Sequence, residues 1–87
     1  MKTISDFTEA EFYELVNAIY HADPEVFPNE RAHTQAILEF ERLAEHPLGS
    51  SVIFHPTRNG LKDGPEEVVE VIKRWRVEQG LPGFKAE

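Results

Sequence analysis

Twelve residues, Glu45-His46-Pro47-Leu48-Gly49-Ser50-Ser51-Val52-Ile53-Phe54-His55-Pro56, hold two His-Pro pairs, a Gly-Ser-Ser turn and an apolar triplet. Three kinds of chemistry are open to such a segment. His46 and His55, with Asp63 downstream, could ligate a metal, but no tight ligand spacing supports this, so no metal and no cofactor is expected. Ser50 or Ser51 could act as a nucleophile or an attachment point, yet no base and orienting group stand at readable spacing, and no enzyme is expected. The third is recognition. Phe54 and His55 beside the rigid Pro56, after a tight turn, form a compact surface that loses little entropy on docking. The plainer reading of Phe54 is a core residue, and the sequence alone leaves both open. His46, just before Pro47, reads as a hydrogen-bonded structural histidine closing the preceding helix.

Charge narrows the partner. The net charge is -7, and residues 1–55 carry ten of the sixteen carboxylates against Lys2, Arg31 and Arg42, while residues 56–87 carry six of each sign. Phosphate is repelled by such a field, so direct nucleic-acid binding is disfavoured and a basic protein partner is favoured. The chain lacks cysteine, which removes disulfides and thiolate metal sites. It has no apolar run long enough to span a bilayer and no signal-peptide core at its start, so an unexported, membrane-free chain is expected. At 87 residues the expectation is a single domain, 1–87.

The elements that must position this segment are helical. Thr8-Glu9-Ala10-Glu11 is a capping box, flanked by Phe7 and Phe12 at staple spacing. Phe12, Leu15, Val16 and Ile19 follow as an apolar stripe that fades near His21–Asp23. Asn29 should cap a second helix whose inner face is Ala32, Ala36, Ile37, Phe40, Leu43 and Ala44, with His33, Thr34, Leu38 and Glu41 mostly on other faces and His33 exposed. Ser50 or Ser51 should cap a short turn of helix through Val52–Phe54, stopped by Pro56; no second strand signal exists for a strand there to pair with. After a polar loop at 57–64, Pro65 opens a last helix with the buried stripe Val68, Val71, Ile72 and Trp75. Gly80 caps it, and an irregular tail follows. The fold class is all-α: a small bundle of three full helices and one short one.

Several pieces in order carry a family resemblance: Ile4-Ser5-Asp6-Phe7-Thr8-Glu9-Ala10-Glu11-Phe12; Phe40 with Glu45-His46-Pro47, Gly49-Ser50, Ile53 and Pro56; then Lys73-Arg74-Trp75-Arg76, Gly80 and Gly83-Phe84-Lys85. Over nearly its whole length the chain resembles the colicin and pyocin immunity proteins of nuclease bacteriocins. The resemblance implies a distorted four-helix bundle with a very short third helix. It implies one-to-one binding to the basic cytotoxic nuclease domain of a cognate bacteriocin, beside the active site, so that nucleic acid is excluded. It implies an otherwise monomeric protein in the producing cell's cytoplasm, able to leave bound to the bacteriocin.

Carried onto this chain, the common anchor falls on Ser50, Ser51, Phe54, His55 and Pro56. Toxin discrimination falls near Glu30, His33, Thr34, Ile37, Leu38 and Glu41. Colicin-type members have Asp and a Tyr-Tyr pair where this chain has Ser51, Phe54 and His55, while Ile53-Phe54-His55-Pro56 resembles a pyocin-type form. Within the family the target could be an HNH-type DNase, favoured here, or an RNase. Outside it, acyl carrier proteins are also small acidic four-helix bundles, but they need an attachment Ser, usually in Asp-Ser-Leu, that this chain lacks. An acidic decoy that mimics DNA is a further alternative.

Overall fold

The computed structural model describes residues 2–86. Four α-helices follow one another: α1 (Glu9–His21), α2 (Glu30–Ala44), α3 (Ser51–Phe54) and α4 (Pro65–Glu78), with 3-10 turns at Ile4–Asp6 and Thr57–Asn59. Helices and these turns are the only regular elements among the described residues, and the all-α bundle with a one-turn third helix is the fold observed.

The helix starts have local causes. The Thr8 hydroxyl accepts from the Glu11 amide at 3.1 Å, and the Thr8 amide donates to the Glu11 carboxylate at 2.9 Å. That amide bond holds the Glu11 carboxyl below its ordinary range. Asn29 caps α2 by accepting from the Ala32 amide at 2.9 Å. Pro65 stands at the first position of α4, where its missing N–H costs nothing. Both α1 and α2 end on non-glycine residues in the left-handed region, Ala22 and Glu45.

The core gathers Phe12, Val16 and Ile19 of α1, Phe40, Leu43 and Ala44 of α2, Val52 and Ile53 of α3, and Val68, Val69 and Ile72 of α4, with Ile4 from the first turn. Phe12 stacks on Phe40 at 5.7 Å and meets Phe84 at 5.3 Å. The C-terminal tail is therefore docked as well as irregular: the Lys85 amide donates to the Phe7 carbonyl at 2.8 Å and the Ser5 hydroxyl to the Gly83 carbonyl at 3.0 Å.

The buried face of α4 differs from the expected stripe. Val69 and Arg76 are buried, while Val71 and Trp75 are only half-buried. The helix turns toward the core a face shifted by part of a residue step, and Arg76 lies on that face. Its guanidinium donates to the Ala44 carbonyl at 2.9 Å, the Leu43 carbonyl at 3.4 Å and, through Nε, the Pro82 carbonyl at 2.8 Å. One side chain thus closes the C-terminal end of α2, where carbonyls lack intrahelical donors, and ties it to the tail. Trp75 instead lies against His46, ring centres 4.9 Å apart.

Candidate functional site

The face formed by α2 and α3 carries the residues singled out from sequence. The α3 helix is one turn long, so its geometry depends on its neighbours. Val52 and Ile53 point into the core and fix it there, and Pro56, also buried, stops it. The same turn directs Phe54 outward, where 43% of it remains exposed. Of the two readings of Phe54, core or surface, the structure has the surface one. His55 is exposed beside it, and Ser50 and Ser51 are half-buried.

The expected serine cap is absent. Neither Ser50 nor Ser51 caps α3 through its hydroxyl: the amides of Ser51, Val52, Ile53 and Phe54 donate to the backbone carbonyls of Leu48, Gly49 and Ser50. The Ser50 amide itself donates to the Glu41 carboxylate at 2.9 Å, a charge-assisted bond that reaches from α2 into the turn before α3. The turn has room for this because residue 49 is glycine: a Cβ there would sit 2.7 Å from Glu41 Oε2, and the backbone φ is already +54°. Glu41 thus fastens the two helices together, in a place where the sequence placed only a partner contact.

His33 also departs from expectation. It is half-buried rather than exposed. Its Nε2 lies 3.0 Å from the Ile19 carbonyl and, since a carbonyl only accepts, carries the proton. Its ring meets Phe27 at 5.3 Å and Phe54 at 6.5 Å, both edge to face. The remaining α2 candidates spread along the same helix. Glu30, Thr34 and Leu38 are exposed, Leu38 by 58%, and Ile37 is half-buried against the core.

His46 matches its structural reading. Its Nδ1 accepts from the Leu48 amide at 3.1 Å, and burial pushes its pKa down. Among the described residues no group of three His, Cys, Asp or Glu side chains is placed to hold a metal ion. No helix among them is long and apolar enough to cross a membrane.

Sequence reasoning missed Phe27 and the roles of His33 and Glu41 in the fold. The partners of His33 lie six (Phe27), fourteen (Ile19) and twenty-one (Phe54) residues away along the chain, and Glu41 reaches nine residues to Ser50. No local pattern reports such contacts.

The surface is therefore an exposed aromatic on a braced turn, flanked by acidic residues of α2. It suits protein recognition better than catalysis. Known proteins supply the family. Residues 4–78 match the family described as colicin immunity protein / pyocin immunity protein. The chain is 49% identical to the Pyocin-S1 immunity protein of Pseudomonas aeruginosa over 83 residues, covering 95% of this chain and 94% of that one. The Pyocin-S2 immunity protein of the same species matches at the same identity and coverage. Among solved structures, a complex of the mutant nuclease domain of pyocin S8 with its cognate immunity protein includes a chain of TM-score 0.85 and 40% identity, covering 99% of this chain and all of that one. The pyocin AP41 DNase–immunity complex includes one of TM-score 0.80 and 33% identity, with both chains fully covered. The chain belongs to the colicin and pyocin immunity protein family.

Proposed function

We propose that this protein neutralises a pyocin-type DNase by binding its nuclease domain one-to-one through the α2–α3 face. The observation that carries the reading is Phe54, held outward by a turn whose two neighbouring residues are buried. A folded chain that exposes a phenylalanine on a braced element has a ready anchor for a partner pocket. Glu30 and Glu45 are exposed on either end of α2, and the net charge is -7. A DNase must present a basic surface to hold DNA, so the two proteins attract at long range and meet quickly. Once docked, the same carboxylates repel phosphate. Inhibition follows without any group entering the catalytic centre.

In this reading Phe54 and His55 make the common contact, and Ser50, Ser51 and Pro56 fix its geometry. Glu30, Thr34, Leu38 and the edge of Ile37 discriminate among toxins. The protein acts in the cytoplasm of the bacteriocin-producing cell, where the nuclease is made.

Calorimetric titration against DNase domains of pyocin and colicin type, with parallel DNA-cleavage assays, tests the reading. Stoichiometric binding with loss of cleavage is expected for a pyocin-type member. Absence of both across the panel would overturn it and turn attention to RNase-type toxins.

A further inference from the structure

We infer that Phe27, in the loop between α1 and α2, is a positioning residue for Phe54, acting through His33; this rests on the reading of Phe54 as the toxin anchor. The three rings form a continuous row: Phe27 to His33 at 5.3 Å and 65°, His33 to Phe54 at 6.5 Å and 72°. Each step is the edge-to-face arrangement that aromatic rings favour.

The row is held at its inner end and free at its outer one. Phe27 packs on the core as a half-buried residue, and its amide donates to the Asp23 carbonyl at 2.8 Å. His33 is tied to α1 through the Ile19 carbonyl at 3.0 Å. Phe54, by contrast, sits at the end of a four-residue helix that has no side-chain cap, with 43% of the residue exposed. An exposed side chain otherwise exchanges rotamers within nanoseconds. A ring set against a fixed neighbour has fewer rotamers to lose when it enters a pocket, and so binds more tightly with no added contact.

Two consequences follow. The loop at 24–28 becomes part of the recognition machinery without touching the toxin through Phe27. Position 33, carried over from the family as a discrimination residue, also acts from inside the protein, because any substitution there changes what Phe54 leans on.

The test is a double-mutant cycle on affinity for a pyocin-type DNase domain that the wild type inhibits, with F27L, F27Y, F54A and F27L/F54A. Urea midpoints and circular dichroism establish that each variant is folded under the binding conditions. F27L keeps apolar bulk and removes the ring; it should weaken binding by about twofold to tenfold, the cost of ordering one free side chain on docking. F27Y restores the ring and should bind like wild type. In the F54A background, F27L should change nothing. Equal affinity of F27L and wild type would overturn the inference. So would the same loss in both backgrounds, which would make Phe27 an independent contact or a general prop. F54A binding like wild type would overturn the anchor reading, and this inference with it.

Discussion

Arg76 and Phe54 stand on opposite sides of the usual division between inside and outside. Arg76 is a charge that the protein buries to 3% exposure; Phe54 is an aromatic ring that it leaves 43% exposed. The two sites are finished differently. Around Arg76 the Leu43, Ala44 and Pro82 carbonyls accept its hydrogen bonds, the Glu45 carboxylate lies 3.7 Å from the same guanidinium, and α2, α4 and the tail close on one another. Around Phe54 the ring meets His33 edge to face and keeps much of its surface open to solvent. One region satisfies its chemistry within the chain. The other leaves apolar surface open to solvent. Conformational stability should therefore follow the first region and affinity the second.

The largest expected effect breaks the first region. R76A removes the donor to the Leu43, Ala44 and Pro82 carbonyls and should cost about 3 kcal/mol of stability, seen as a lower urea midpoint. Under conditions where the variant remains folded, its toxin affinity should be close to wild type. F54A should do the reverse. It should cost about 2 kcal/mol or more of binding, a loss near thirtyfold, with a urea midpoint within experimental error of wild type.

Glu41 sits between the two regions and sharpens the contrast. E41A removes the acceptor for the Ser50 amide and should lose about 1 kcal/mol of stability, as a lost helix cap does, together with some affinity. E41Q keeps an acceptor at the same place. It should recover most of the stability while slowing association, most visibly at low salt.

The smallest effect is a pH dependence on the Arg76 side of the molecule. Burial lowers the His46 pKa, and protonation at Nδ1 would cost it the Leu48 amide bond. The unfolded chain therefore takes up this proton first. The contribution is fully present above about pH 6.5 and declines as the pH falls from there toward the lower folded value. Urea midpoints measured between pH 7.5 and 5.5 should show this slope in the wild type, and a weaker one in H46Q.

Much of this architecture was legible in the sequence, for local reasons. Thr8–Glu11, Asn29 and Pro65 act within one turn of their own helices, so residue type and spacing were enough. What escaped depends on distant chain segments. The stripe Val68, Val71, Ile72 and Trp75 has the same period as the true one, and only the carbonyls of α2 and the tail draw Arg76 inward in place of Trp75. Hydropathy counts histidine as polar, so His33 read as exposed, whereas two phenylalanines and the Ile19 carbonyl enclose it. Ser50 had the composition of a cap, but the first amides of α3 are taken by backbone carbonyls, and its own amide goes to a carboxylate nine residues away. The exposed aromatic segment was singled out by its chemistry, while the contacts from His33 and Glu41 that brace it were not legible.

If the α2–α3 face is the nuclease-binding surface, its amides should respond to a nuclease and those elsewhere should not. Amide-resolved NMR of the labelled protein, titrated with an inhibited pyocin-type DNase domain, tests it most directly. Large shifts are expected at Ser50 to His55 and along the outer face of α2 from Glu30 to Glu41, with the α1–α4 groove lined by Tyr13, Glu66 and Phe84 unchanged. Shifts centred on that groove, with Phe54 and its neighbours unmoved, would contradict it.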